Sequence, residues 1–218
     1  VEASPKSILG VDNQMKTPLH IMLQNCNNAD GKIPSVEIIK LLSSDPSAVW
    51  IEDSNEYIPI QLAAKLVDLL PAEYFQTLVE VDHNTVLAQT KTGMTSLHLV
   101  LKYCKKEIPL TTIKSLLGLT INGDDRLDAD YEVARIMSDE DLLPLHYACR
   151  NHTMISEEIF NLTVVIVIRD HQYASIILSI FVSLSSFSTR NISLEMVSKQ
   201  WKVLRLAFET KKHFHDFK

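Results

Sequence analysis

The sequence predicts an all-α protein, a solenoid of about four helix-turn-helix repeats followed by an irregular C-terminal region and a terminal amphipathic helix. Three observations predict it. A helix-start pattern recurs four times, as Thr17-Pro18-Leu19-His20, Ile58-Pro59-Ile60-Gln61, Thr95-Ser96-Leu97-His98 and Leu143-Pro144-Leu145-His146. Each copy opens a short apolar segment and is followed by a second one. With 46% hydrophobic and 22% charged residues over 218 positions, the chain can bury a core without a disulfide or metal to support it.

In the first copy Thr17 suits an N-cap and Pro18 the first helical position, where a missing N–H costs nothing. Leu19, Leu23 and Cys26 then share one face, on a helix too short to stand without neighbours. The polar stretch 27–32 ends it, and a second amphipathic helix runs Val36-Glu37-Ile38-Ile39-Lys40-Leu41-Leu42 up to Ser44-Asp45-Pro46. In the second copy Ile58 cannot cap through its side chain, but Pro59 keeps the start. That inner helix should extend from Ile60 to about Leu69, and Pro71-Ala72-Glu73 should open the outer one with Tyr74, Phe75, Leu78 and Val79.

In the third copy Thr95 and Ser96 restore capping, Leu97, Leu101 and Cys104 form the stripe, and Thr112 opens an outer helix that Gly118 should end. An acidic insertion, 122–130, follows. It reads as a solvated loop, since a calcium loop needs a glutamate at its twelfth position. The fourth copy, Leu143 to Asn151, precedes an outer segment, 156–162, that matches the first outer helix at its serine, glutamate, isoleucine and leucine. Beyond it the period fails: 163–192 is apolar and serine-rich. Leu194, Val197, Trp201, Leu204 and Phe208 then recover helical spacing, which makes 193–210 a capping helix and leaves 211–218 as a disordered tail.

Four such starts, each with a second helix, resemble ankyrin repeats, whose signature is T-P-L-H-x-A. Thr17-Pro18-Leu19-His20 matches in full, Leu145-His146-Tyr147-Ala148 supplies the last part, and Gln61-Leu62-Ala63-Ala64 matches the helix body. The resemblance covers 11–162, divided at about 11–50, 51–88, 89–136 and 137–168. Motif starts at 17, 58, 95 and 143 are 41, 37 and 48 residues apart, longer than the usual 33, so long loops and irregular stacking are implied. The resemblance also implies that His20, His98 and His146 tie neighbouring repeats together rather than catalyse, with Gln61 still offering a donor and an acceptor in the second copy and Thr17, Pro18, Pro59, Thr95 and Pro144 completing the structural motif. It further implies partner binding through turn tips and the exposed side of the inner helices.

Read for function, the fourth position after each motif histidine or glutamine holds Gln24, Lys65, Lys102 and Arg150. Stacking would place three cations in one column. Such a column suits an acidic segment of a partner protein, with the tip residues Asp139 and Glu140 flanking it for register. The expected function is therefore a non-catalytic protein-protein interaction module, a scaffold or adaptor. The alternative is a membrane-associated scaffold in which residues 172–189 touch lipid. A hydrolase or metal-dependent enzyme is the remoter alternative.

The formal charge of −6 argues against general nucleic-acid affinity, which rests on phosphate neutralisation. No phosphate-cradling glycine loop, HExxH or GxSxG occurs, no cofactor is expected, and His213, His215 and Asp216 lie on the tail. Cys26, Cys104 and Cys149 lack zinc spacing and read as buried reduced thiols. No signal peptide is visible, so the expected compartment is cytoplasm or nucleus. The chain is read as a possible fragment of a longer repeat array.

Overall fold

The computed structural model describes residues 8–26, 33–119, 132–151, 154–156, 158–159 and 162–163. The stretch 27–32, the acidic insertion, the span 172–189, the capping helix at 193–210 and the tail lie outside them. Among the described residues the regular structure is helical throughout, with no strand. We number the helices α1 (Pro18–Asn25), α2 (Val36–Leu42), α3 (Pro59–Lys65), α4 (Ala72–Val81), α5 (Ser96–Tyr103), α6 (Leu110–Leu116) and α7 (Pro144–Arg150). Short 3-10 turns occupy Pro46–Val49, His83–Leu87 and Glu132–Ala134. No helix among the described residues is long and apolar enough to cross a membrane.

The four helix starts share one chemistry despite their different residues. The third helical residue bends back to accept the N–H of the residue just before the helix. His20 Nδ1 takes it from Thr17 at 3.3 Å, Gln61 Oε1 from Ile58 at 3.2 Å, His98 Nδ1 from Thr95 at 3.1 Å and His146 Nδ1 from Leu143 at 2.9 Å. One orphan donor is thus satisfied even where isoleucine or leucine offers no reciprocal cap.

The likeness extends five residues upstream. The N–H groups of Asp12, Asp53, Thr90 and Ser138 donate to the carbonyls of Lys16, Tyr57, Met94 and Leu142, closing the same turn each time. Met15, Glu56, Gly93 and Asp141, each two residues before its helix-flanking residue, have φ of 56°, 60°, 69° and 57°. Only the third copy uses glycine, and it has to: a Cβ there would lie 2.7 Å from the backbone nitrogen of Asp139.

Two helices differ from expectation. α3 ends at Lys65 instead of near Leu69, because Leu66 and Leu69 donate to carbonyls three residues back and tighten the chain into turns. α6 begins at Leu110 rather than Thr112, with extended Pro109 (φ −60°, ψ 133°) as its flanking residue. Gly118 at φ 71° ends α6, with Leu119 N–H donating to Lys114 O and Gly118 N–H to Ser115 O. A left-handed glycine satisfies the last carbonyls in this way.

The helices pack in two rows. α1, α3, α5 and α7 follow one another in the first row and α2, α4 and α6 in the second, with each pair also touching within itself. Leu19, Leu23, Ile60, Leu97 and Leu101 of the first row are fully buried, as are Ile39, Tyr74, Phe75, Leu78, Ile113 and Leu116 of the second. Each such side chain contributes about 1.5–3 kcal/mol relative to exposure, and that, not helix propensity, stabilises seven-residue helices.

Candidate functional site

The motif side chains act across the first row. His20 Nε2 lies 3.0 Å from the carbonyl of Tyr57, the residue before Ile58, and His98 Nε2 lies 3.0 Å from the carbonyl of Leu142, the residue before Leu143. With Nδ1 accepting from the helix start, Nε2 must carry the proton, so both imidazoles are neutral. Their titration agrees. Burial holds His20 below the usual histidine range and pushes His98 down to about 4, against a smaller upward pull from the carbonyl bonds.

Gln61 departs from this pattern. Its Nε2 donates to Ala88 O at 3.1 Å, within the connection ahead of α5, instead of reaching the residue before Thr95. His146 is half-buried, and among the described residues its Nε2 has no carbonyl partner. Burial lowers its titration too. Two further ties join adjacent pairs. Asp68 accepts from Lys105 and Lys106 N–H at 3.0 and 3.1 Å, and Asn151 Nδ2 donates to Leu101 O at 2.6 Å and Lys102 O at 3.0 Å.

Lys65, Lys102 and Arg150 occupy the last turns of α3, α5 and α7. Tyrosines stand between them. Lys65 Nζ lies 4.3 Å from the centroid of Tyr57 and 5.8 Å from that of Tyr103. Lys102 Nζ lies 5.8 Å from Tyr103 and 5.5 Å from Tyr147, and the Arg150 guanidinium lies 5.6 Å from Tyr147. All fall within the range at which a ring face attracts a cation. Lys102 Nζ also approaches Met94 Sδ at 3.6 Å. Both lysines therefore run back along their helices, as side chains directed toward the helix N-terminus do. Arg150 and Tyr103 are exposed, and Gln24, at the first-copy position, is half-buried.

No ion pair among the described residues involves these cations; the one found, Lys91 with Glu56 at 2.6 Å, joins the second and third tips. Asp139 and Glu140 are exposed on the fourth tip, ahead of α7. Asp139 is fixed to the third tip, where its N–H donates to Thr92 O at 3.1 Å.

Sequence reasoning missed the tyrosines. Tyr57 and Met94 each precede their lysine by eight residues, a correspondence visible only once the copies are aligned on the motif.

Cys26, Cys104 and Cys149 are buried and free. Burial raises all three thiols, Cys104 to about 11 and Cys149 to about 12, the opposite of what a nucleophile needs. Among the described residues no group of three or more His, Cys, Asp or Glu could hold a metal ion. No known family model matches the chain, and no curated protein matches it significantly.

Proposed function

We propose that this chain is a non-catalytic protein-binding module of the ankyrin-repeat type, and that its tyrosine-bedded cations dock an acidic segment of a partner protein. Support for the repeat reading comes from four helix starts with one hydrogen-bonding scheme, four turns with one left-handed residue, and two rows of helices. The docking reading rests on a single observation. Three cations recur at one register position, each against tyrosine, and none is paired with a carboxylate among the described residues. A ring face holds a cation without cancelling its charge, so the charge stays available to a ligand. Fold alone does not assign this role.

The test is fluorescence polarisation with a fluorescein-labelled peptide rich in glutamate, set beside its lysine-for-glutamate counterpart. Changing Lys65, Lys102 and Arg150 together to glutamate should weaken the acidic peptide by at least about tenfold, or 1.4 kcal/mol, and leave the basic one no weaker. Equal affinity of wild type and triple variant for the acidic peptide would remove the column from the binding surface. Proximity labelling with the same two proteins extends the comparison to natural partners.

A further inference from the structure

The first helix pair differs from the later pairs on one side only. The residue after the motif histidine or glutamine is Ile21, Leu62, Leu99 or Tyr147; the last three are buried, whereas Ile21 is 39% exposed. The second row repeats the contrast. Third helical positions are Ile38, Tyr74 and Thr112, and sixth positions are Leu41, Thr77 and Ser115. α4 and α6 bury both positions, while Ile38 and Leu41 are 42% and 49% exposed. Tyr74 shows what covers them. α4 packs against α2, and the Tyr74 hydroxyl donates to Pro34 O, in the connection just before α2. These positions face the preceding pair.

The backbone repeats the message. Tyr57 O and Leu142 O each accept two donors, the N–H that closes the turn and the imidazole Nε2 of the preceding pair. Lys16 O holds the same place ahead of α1. Among the described residues it accepts only the turn N–H of Asp12, at 3.1 Å.

We infer that the outward side of α1 and α2 is a stacking surface for one further helix pair of the same kind, lying ahead of α1 in a longer form of this polypeptide. That pair would carry a histidine donating to Lys16 O, as His20 and His98 do to Tyr57 O and Leu142 O, whereas the glutamine of the second copy leaves Met94 O, among the described residues, with its turn N–H alone. The register carries this inference, since an end that faces water is built polar at such positions, and here they are Ile, Ile and Leu. Supply from the same polypeptide follows the pattern inside the chain, where α1–α2 and α3–α4 each reach the next pair through a direct connection. Tethering gives the neighbour a high effective concentration.

The test duplicates residues 10–50 in the full chain, inserted ahead of residue 10, so that the added copy's His20 supplies the donor. Hydrogen exchange should show the amides of the original α1 and α2 protected about tenfold more than in the unduplicated chain, an opening free energy of the stacked pair. The urea midpoint should rise as well. Ile21→Ser, Ile38→Ser and Leu41→Ser together in the original copy should abolish that added protection. In the unduplicated chain the same three changes should lower the midpoint by less than in the duplicated chain, because those side chains are there only partly covered. His20→Ala in the added copy alone should remove part of the protection. Absence of added protection in the duplicated chain would overturn the inference. So would an unduplicated chain that sediments as a dimer and becomes monomeric with the three serines, because the surface would then belong to a second copy.

Discussion

Replacing His98 by glutamine should flatten the acid side of the stability profile without dismantling the stack. Gln61 already does the job in the second pair, where its carboxamide oxygen accepts from Ile58 N–H and its nitrogen donates to Ala88 O. A glutamine at 98 can likewise accept from Thr95 N–H and donate to Leu142 O, but it does not titrate in this range. In the wild-type chain burial pushes His98 down to about 4, whereas an unfolded histidine titrates near 6.5. The unfolded chain therefore binds the proton first. Stability from the neutral buried imidazole is fully present above 6.5 and is lost as pH falls from there toward 4. Between pH 7 and pH 5 linkage puts that loss at about 2 kcal/mol. Urea unfolding of both proteins at pH 7, 6 and 5 measures it. His20 and His146 are present in both chains, so the difference between wild type and variant isolates His98. Profiles that stay parallel from pH 7 to pH 5 would refute a neutral, buried His98.

Two further substitutions probe the ties between pairs. Gly93→Ala should destabilise by more than the roughly 1–2 kcal/mol that a left-handed L-residue costs, because its Cβ also meets Asp139, whereas Gly118→Ala, at φ 71° with nothing within 4 Å, should cost only the backbone part; equal urea midpoints for the two would discount the contact between the third and fourth tips. Asn151→Ala removes two donations to the carbonyls that end α5 and should cost about 1–2 kcal/mol, read as a lower thermal midpoint, with no change expected if those carbonyls are equally well served by water.

What the sequence made legible is what local chemistry dictates. Threonine and proline at a helix start act on their immediate neighbours, so Thr17, Pro18, Pro59, Thr95 and Pro144 marked the first row wherever they occurred. Helix ends were less legible. Val67 and Leu70 remain buried after α3 has tightened into turns, so an apolar period read from residue to residue runs on past Lys65. The left-handed turn residues were invisible for a related reason: Met15 and Glu56 are not residues that conformation favours, although an aspartate such as Asp141 is, and only four aligned copies reveal that one position holds all of them. Gln61, unlike His20 and His98, donates to Ala88 O, inside its own copy. The 3-10 turn at His83–Leu87 shapes the connection that carries that carbonyl, and nothing in the motif encodes that connection. The cation positions came from counting along each helix. Their tyrosines did not, since Lys65 meets Tyr103 and Lys102 meets Tyr147 only through stacking.

The tyrosine-bedded cations link stacking to the docking proposed for them. Lys65 and Lys102 each lie between a ring of their own unit, Tyr57 or Tyr103, and a ring of the next, Tyr103 or Tyr147. Lys91 and Glu56 also bridge neighbouring units, at the tips, but an ion pair cancels the charge it uses. A cation held on a π face bridges the units and keeps its charge. The formal charge of the whole chain is −6 with the column's three positive charges included, so the remainder carries −9. The acidic segment proposed as its ligand would then be repelled by most of the molecule and attracted at one strip. At physiological salt, fields fade over about 8 Å, so attraction acts only on a segment already lying along the strip, while added salt weakens repulsion and attraction together. Binding at the column should therefore depend on register far more than on ionic strength, and a change that separates Tyr147 from Lys102 should weaken it while both cations remain in place.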